Sequence, residues 1–597
     1  MKDSKRLFYY LAKIKWELIF GLIMAIIFVS ADVLIPLIIG KIIDVVSFYI
    51  NHSIDPISYP NIFDFNLIPM YLSIISGLVV VVVILSYFFD TIISISIERI
   101  GKEIKNDVYK KINYVSVSYI DTHTHGDLIS RIINDTDLVI VGLVGSFKQF
   151  YQGIITILIT IGFMFYLNWV LGLIILILTP FSFLVSFFIA KNINKHFKIQ
   201  AKEQGNLSGI FLEDINNIDV LKSFNYEDKE FDKFSIQNDK LTKITCKSQF
   251  FSSLTNPSAR LINSFTYAAV CFCGAILCAY SFKNQGVLLG ATFTIGTLST
   301  FLQYANKFAK PFNEMSSVVG EIQQGITSFR RINEILSTEN DVDNGEEILK
   351  SPVKSIYFNH IYFSYKKNKP LIEDFNLEVK EGQKVAIVGP TGCGKTTMIN
   401  LLMRFYDPNE GSFDFNSINS LIIKKSSLRR HFGMVLQDTW LFKGTIFDNI
   451  AYGKKDATNE DVYEAARQAN AYNFIMRLQN GFNTIVNDDC GLSAGQKQLI
   501  TIARVILLNP EIMILDEATS NVDTHSEHKL IKAFDEMMKN KTSFVIAHRL
   551  STIVNSDLII VMKNGHIVET GKHDELLARN GFYSELFNAQ FDKVNIR

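Results

Sequence analysis

Residues 385–397 form the stretch of this chain whose residue types and spacing are best suited to bind phosphate. Their sequence, VAIVGPTGCGKTT, places the pattern G-x-x-x-x-G-K-T between an apolar run and a helical pattern. Glycines in such a loop let backbone N–H groups turn toward phosphate oxygens, and the N-terminus of the following helix adds partial positive charge. Lys395 would reach the β- and γ-phosphates, and the Thr396 hydroxyl would ligate Mg²⁺. The residues predicted to surround the nucleotide are Gly389, Thr391, Gly392, Cys393, Gly394, Lys395, Thr396 and Thr397.

Two adjacent acids, Asp516 and Glu517, follow a second apolar run at residues 512–515. Asp516 at a strand end suits the Mg²⁺ shell, and Glu517 is placed to polarise the attacking water. Each pattern also has an ordinary interpretation. The loop could be a surface glycine turn, and the two acids could be solvated residues at the end of a strand. Their combination in one chain favours a site that binds and hydrolyses a nucleoside triphosphate.

Cys393 lies inside the phosphate loop, just before the predicted helix. A helix N-terminus stabilises a thiolate, so this position predicts a lowered thiol pKa and a raised reactivity. The alternative is a buried and inert small hydrophobic residue.

Length and composition predict at least two domains of different kinds. The chain has 597 residues, of which 48% are hydrophobic, and its formal net charge is zero. A chain of this length exceeds a single core, and the neutral charge balance gives no indication of a nucleic-acid partner. The six cysteines show neither a disulfide-framework spacing nor a paired metal motif.

Six apolar stretches in the first half are each near the roughly 20 residues needed to cross a bilayer. We predict spans at about 17–40, 70–95, 146–166, 169–190, 261–282 and 286–307. The connections after the first, third and fifth spans contain almost no Lys or Arg, whereas the segments near 97–145 and 191–258 are rich in both. The positive-inside rule therefore predicts a multi-pass protein of the cytoplasmic membrane with both termini in the cytoplasm.

The pattern along the chain predicts an α-helical transmembrane domain followed by an α/β P-loop domain. We assign residues 1–336 to the transmembrane domain, whose helices continue into the cytosol as the two basic segments. Residues 337–352 are polar, acidic and interrupted by Gly and Pro, which is typical of a linker. From residue 353 to 597, short β-rich runs alternate with helical patterns, as in a mainly parallel sheet.

Four further motifs identify the P-loop domain more closely. They are MVLQD at 434–438, LSAGQKQ at 492–498, SNVD at 520–523 and VIAHR at 545–549. In order and spacing these motifs resemble the ATP-binding cassette (ABC) transporters, and the resemblance covers essentially the whole chain. LSxGQ is the signature motif of that family and is far more specific than the phosphate loop. The resemblance implies that ATP and Mg²⁺ are bound.

The resemblance also implies roles for residues near the phosphates. Tyr365 would stack on adenine, and Gln437 would sense Mg²⁺ and the membrane domain. His548 would hold the γ-phosphate, completing a catalytic set with Gln437 and Glu517.

A second group would act across a dimer of cassettes. Ser493, Gly495 and Gln496 of the signature would close over ATP held by the opposite cassette, and Asp523 would link the two sites. Gly491 departs from the family pattern, because it stands where Asn is usual, in a pre-signature stretch that is one residue shorter.

Six spans ahead of one cassette are similar to a half-transporter of the exporter type. The segments QDTWLF, DEATSNVDT and DTHTHGD look most like bacterial multidrug exporters whose two halves are different proteins. The resemblance implies ATP-driven export of amphiphilic small molecules by alternating access, with a second half-transporter as partner, a heterodimer being favoured over a homodimer. The alternatives are a peptide or lipid exporter and a membrane-anchored ATPase that regulates a partner without transport.

Asp32 lies inside the first predicted span, where an ionised carboxylate facing lipid would be unfavourable by at least about 2.5 kcal/mol. We therefore expect it to face a cavity or a partner. Two interpretations remain open, a contact for cationic amphiphiles and a solvated or paired structural acid.

Overall fold

The computed structural model describes residues 3–54, 67–283, 293–366, 369–436, 439–487, 491–516, 524–546 and 553–591. These residues form two compact units. The first unit comprises residues 1–114 and 123–338, and the second comprises 115–122 and 339–597. The short segment Val115–Thr122 therefore belongs to the second unit, although it lies within the range that we predicted for the transmembrane domain.

Helices make up the first unit, and six of them are between 34 and 57 residues long. Apolar residues dominate the predicted spans, where backbone groups must be satisfied within the helix. The helices are α1 (Asp3–Lys13), α2 (Lys15–Ile54), α3 (Leu67–Ile112), α5 (His125–Ile132), α6 (Asn134–Leu167), α7 (Trp169–Asn216), α8 (Ile218–Ser223), α9 (Glu227–Lys283) and α10 (Ile295–Ser337), and the second unit contains α4 (Val117–Asp121).

Each predicted span overlaps one of the six long helices, and the first part of the last span, 286–292, lies outside the described residues. Within the described part of the chain, four helical segments are long and apolar enough to cross a membrane. They are Lys15–Ile50, Leu67–Ile112, His125–Leu167 and Arg260–Tyr280. The chain is thus a multi-pass helical membrane protein, and the count of six spans stays a prediction.

The second unit contains two larger sheets. Residue ranges for its strands are β1 (Ser355–Phe363), β2 (Ile372–Lys380), β3 (Lys384–Val388), β4 (Glu410–Phe415), β5 (Ile418–Asn419), β6 (Phe432–Val435), β7 (Gly444–Thr445), β8 (Ile485–Val486), β9 (Ile512–Asp516), β10 (Thr542–Ile546), β11 (Leu558–Lys563) and β12 (His566–Gly571). One sheet has the order β2-β1-β4-β5 and is antiparallel. The other has the order β12-β11-β3-β10-β9-β6, and all of its strands except β12 run parallel.

Helices cover the mainly parallel sheet because its central strands are apolar on both faces. Those strands include β3 and β9, whose residues 385–388 and 512–515 are all buried. The helices of this unit are α11 (Lys395–Leu402), α12 (Lys425–Arg430), α13 (Ile446–Ala451), α14 (Asn459–Gln468), α15 (Tyr472–Ile475), α16 (Ala494–Leu508), α17 (Thr524–Met538), α18 (His573–Ala578) and α19 (Phe582–Phe591).

The acidic stretch after α10 is packed within the second unit, of which residues 339–352 are part. The Asp341 carboxylate accepts a hydrogen bond from the Lys425 ammonium at 2.6 Å, and Asp343 accepts from the backbone N–H of Lys425 at 2.7 Å. Leu349 and Val353 are each 3% exposed. This stretch therefore has specific polar and apolar contacts within the second unit.

Candidate nucleotide-binding site

The phosphate loop connects β3 to α11, as the sequence pattern requires. Gly392 and Gly394 have φ angles of +83° and +104°, which L-residues with a side chain rarely adopt. A Cβ atom on Gly389 would lie 2.3 Å from the carbonyl oxygen of Met562. Glycine at these three positions is thus required by backbone conformation or by close packing.

The Lys395 ammonium lies against the inside of this loop. Its Nζ donates hydrogen bonds to the carbonyl oxygens of Gly389 at 2.8 Å and Pro390 at 3.1 Å. The residue is only 8% exposed, and a lysine is rarely so buried unless its charge has partners. The charge is therefore held at the loop, where a bound phosphate would meet it.

Our prediction for Cys393 is wrong in its direction. The residue is 3% exposed, and this burial raises the pKa of its thiol, which the nearby Lys395 ammonium only partly opposes. A helix N-terminus favours a thiolate, but desolvation by burial disfavours it, and at Cys393 the burial has the larger effect on the thiol pKa. The alternative interpretation, a buried small hydrophobic residue, fits the structure.

Two of the donors expected for Mg²⁺, Thr396 and Asp516, lie at or beyond the carboxyl ends of strands in the parallel sheet. Strand β10 lies between β3 and β9, and Ile546 is in register with both Ile387 and Asp516. Asp516 is thus about 10 Å, two strand spacings, from the strand that leads into the loop. Thr396 is the second residue of α11, the helix beyond that loop, and it is exposed. A hydroxyl and a carboxylate are hard oxygen donors, so the residues fit the ion that the motif implies.

Tyr365 is 48% exposed and lies beside the phosphate loop. Its hydroxyl is 3.2 Å from the hydroxyl oxygen of Thr397 on α11, to which it donates a hydrogen bond. Its ring packs edge-on against Phe363 at 4.9 Å and against Tyr406 at 5.1 Å between centroids. An aromatic face thus lies next to the phosphate-binding loop.

Tyr406 is a residue of this site that our sequence analysis missed. Its hydroxyl donates a hydrogen bond of 2.5 Å to the Asp121 carboxylate, which lies in α4 within the same unit. Burial and this contact raise the pKa of the Tyr406 hydroxyl well above its usual range. The only sequence signal was an aromatic pair, Phe405 and Tyr406, directly after the phosphate-loop helix.

The signature segment begins α16 through a capping box. The Ser493 hydroxyl accepts from the Gln496 backbone N–H at 3.3 Å, and the Gln496 side chain accepts from the Ser493 N–H at 3.0 Å. Ser493 is exposed and Gly495 is buried. Before them, Gly491 has a φ of +67°, and a Cβ atom there would meet open space. Gly adopts a positive φ readily, and Asn does so more readily than most other residues. Gly491 in place of the usual Asn is therefore compatible with this backbone conformation.

Four predicted site residues lie outside the described residues. They are Gln437, Glu517, Asp523 and His548. Their predicted roles therefore rest on the sequence motifs.

Comparisons with known proteins match both parts of the chain. Residues 18–308 match the family described as ABC transporter transmembrane region, and residues 372–520 match the family described as ABC transporter. A fatty acid ABC transporter ATP-binding/permease protein of Mycobacterium bovis is 36% identical over 499 residues, covering 83% of this chain and 78% of that protein.

A second relative and one solved structure are also similar to this chain over most of its length. An ATP-dependent lipid A-core flippase of Desulfotalea psychrophila is 36% identical over 504 residues, covering 83% of this chain and 86% of the flippase. The solved structure of a bacterial Atm1-family ABC exporter with ATP bound has a TM-score of 0.75 at 26% identity, covering 97% of this chain and 99% of that one.

Proposed function

The chain belongs to the ABC transporters of the exporter type, and from that premise we propose that it moves amphiphilic small molecules with a lipid-like acyl part out across the cytoplasmic membrane. It hydrolyses ATP to drive this transport. The observation that supports the proposal is the occurrence, in one chain, of a transmembrane region and a glycine-rich loop with two positive-φ glycines between β3 and α11. The cargo class is supported by two relatives whose names state a fatty acid and lipid A-core.

We assign the ATP contacts to the residues that the motifs select. Lys395 and the loop N–H groups would hold the β- and γ-phosphates, and Tyr365 would stack on adenine. Mg²⁺, held by Thr396, Asp516 and Gln437, would neutralise charge on the phosphates. Glu517 would orient the attacking water, and His548 would contact the γ-phosphate.

The second face of each ATP site would come from another copy or a related chain. Ser493 caps α16 by accepting from the Gln496 N–H, which fixes the start of the helix, and the N–H groups of Ala494 and Gly495 would then face a phosphate beside the Gln496 side chain. Asp523 would join the two sites. Only the closed arrangement contacts both faces of the nucleotide, so ATP would shift a two-state equilibrium toward it, and hydrolysis would reverse that shift.

Six spans with both termini in the cytoplasm remain our proposed topology. It is supported by the Lys- and Arg-rich segments near 97–145 and 191–258, which are the long extensions of α3, α7 and α9. Labelling of single cysteines introduced near residue 60 and near residue 230 tests it, because only the first should react with an impermeant maleimide from outside intact cells.

The partner that we propose is a different half-transporter with an impaired catalytic acid. The support is the likeness of several motifs to heterodimeric exporters and the unusual pre-signature stretch. Expressed alone, the chain should then show weak cargo-stimulated ATPase activity. Strong, cooperative ATPase activity and transport by the chain alone would establish a homodimer instead.

Uptake into inverted membrane vesicles tests the function itself. A fluorescent fatty acid should accumulate inside the vesicles only with hydrolysable ATP, and a fluorescent hexapeptide should not. Accumulation of the peptide instead would point to a peptide exporter. ATP hydrolysis without uptake of any cargo, in the presence of the partner chain, would favour a regulatory ATPase.

A further inference from the structure

Ion pairs join α10 to other helices of the first unit. In the region of the predicted spans, the Asp32 carboxylate of α2 pairs with the Lys307 ammonium of α10, which supports the paired-acid interpretation of Asp32 over a contact for cationic cargo. A larger group of charges joins the last turns of α10 to the junction of α5 and α6. Its members are Asp127, Arg131, Asp135, Ser328, Arg331 and Glu334.

A single residue separates α5 from α6. α5 ends at Ile132, α6 begins at Asn134, and Ile133 between them has a ψ angle of −70°, against about −42° in a regular α-helix. The Ile133 N–H still donates to Ile129 O at 3.0 Å, and the Asp137 N–H donates to Ile133 O at 3.0 Å. The chain therefore continues as a helix with a local distortion, at which the direction of α5 relative to α6 is set.

Arg331 of α10 pairs with one acid on each side of this junction. Its Nη2 donates a hydrogen bond to Asp127 Oδ1 of α5 at 2.6 Å, and its Nη1 lies 3.1 Å from Asp135 Oδ2 of α6. A guanidinium is planar and its N–H groups have a fixed geometry, so one side chain can hold two carboxylates at set positions. Arg331 thus braces the junction of α5 and α6 from a third helix.

Both acids have a second partner. Arg131 Nε donates to Asp127 Oδ2 at 2.8 Å, and its Nη1 donates to Glu334 Oε2 of α10 at 3.0 Å. The Ser328 hydroxyl donates to Asp135 Oδ1 at 2.8 Å. Asp135 is only 3% exposed, and a carboxylate so buried is unfavourable unless it is paired. The charges of α10 and of the junction therefore depend on one another.

α10 also packs closely against α6 beside this cluster. A Cβ atom on Gly142 would lie 2.8 Å from the Glu321 carbonyl oxygen, and one on Gly325 would lie 3.2 Å from the Leu138 carbonyl oxygen. The two backbones approach this closely because glycine has no side chain. Arg331 lies six residues after Gly325, or about 9 Å along α10, so the helix that carries the brace is itself fixed against α6.

α5 connects α6 to the second unit along the chain. The second unit includes residues 115–122, and the first unit resumes at His123, two residues before α5 begins. α10 ends at Ser337, and the second unit continues from Glu339. Arg331 lies about two turns before that end. It therefore pairs with the helix that forms one connection to the second unit and belongs to the helix that forms another.

We propose that Arg331 is a positioning residue for transport, which fixes the direction of α5 relative to α6 so that a movement of the second unit reaches α6 and is not absorbed at the junction. The inference rests on the proposed exporter function, since it concerns how ATP hydrolysis is coupled to transport. A loose junction would leave the ATP site intact and reduce the amount of cargo moved for each ATP hydrolysed.

The double variant Arg331→Met, Asp135→Asn removes the brace without leaving a buried charge unpaired. Its thermal unfolding midpoint should therefore stay close to that of the wild type, whereas Arg331→Met alone should unfold at a lower temperature because the Asp135 carboxylate loses its guanidinium partner.

Transport should respond differently from stability. In vesicles that contain the chain and its partner, the double variant should take up a fluorescent fatty acid about tenfold more slowly, with the KM for ATP and the ATPase activity without cargo within about twofold of wild type. Arg331→Lys should give an intermediate rate, since a single ammonium does not hold both acids at once. Lys310→Met is the matched control, because that side chain is 69% exposed on the same helix and its loss should change little.

Amide hydrogen exchange of the full chain measures the junction itself and does not depend on the cargo. Peptides that cover residues 124–133 should exchange at least about tenfold faster in the double variant, and peptides from α16 should keep their wild-type rates. If the wild type hydrolyses ATP but takes up no fatty acid, the proposed function fails, and the exchange rates still decide whether Arg331 holds α5. Unchanged exchange at residues 124–133, or wild-type uptake by the double variant, would overturn the proposal.

Discussion

Two lysines, one buried and one partly exposed, illustrate different ways in which this chain positions charge. Lys395 in the phosphate loop donates to carbonyls five and six residues away in the sequence, whereas Lys307 donates to a carbonyl 275 residues away. The first arrangement is local, so the spacing of the glycines and the lysine predicts that the ammonium lies at the loop. The second depends on the packing of two membrane helices, so sequence spacing does not reveal it. The nucleotide site can thus be recognised from the sequence because its contacts are local. The contacts between membrane helices cannot, because they depend on tertiary packing.

The largest effect should come from Lys395→Ala. Loss of a preorganised cation at the phosphates should lower ATP hydrolysis by about 10²–10³-fold, because the charge that it stabilises increases in the transition state. Lys384→Ala, at the start of β3, is the matched control and should retain activity. Steady-state ATPase assays on the purified chain with its partner check this, and an activity within twofold of wild type would remove Lys395 from the site.

Cys393 gives a prediction of intermediate size. A raised thiol pKa means less thiolate at pH 7, so alkylation by iodoacetamide should be at least about tenfold slower than at the exposed Cys246. The rate should increase as the pH rises toward the thiol pKa, and ATP should slow it further. Mass spectrometry of labelled peptides measures both sites in one sample. Equal rates at pH 7 would instead indicate the reactive thiol that the sequence predicted.

Tyr406→Phe should have the smallest effect. The change removes the hydroxyl that donates to Asp121 but keeps the ring against Tyr365. This hydrogen bond is exposed, so its loss should amount to about 1 kcal/mol and lower cargo-stimulated ATPase about threefold to tenfold, with the affinity for ATP little changed. Asp121→Asn should produce a similar loss, and an unchanged stimulation in both variants would assign the contact no role in coupling.

The sequence predicted the order of the phosphate loop, the strand before it and the helix after it, because each depends on neighbours in the chain. The capping box of Ser493 and Gln496, found in the structure, is local in the same way, since the two residues are three positions apart. The sequence missed Tyr406 and the Lys307 pairing with Asp32, whose partners lie in distant helices. For Cys393 the sequence left a reactive and a buried thiol as two interpretations, because long-range packing determines whether the side chain is buried.

The most direct test of the central claim compares hydrolysis with transport in Glu517→Gln. In proteoliposomes that contain the chain and its partner, this variant should bind ATP normally but lose hydrolysis by about 10²-fold or more. Uptake of the fluorescent fatty acid should fall in parallel, because the closed state would no longer reset. Normal hydrolysis, or full multiple-turnover uptake without hydrolysis, would contradict the account of an ATP-driven exporter that uses Glu517.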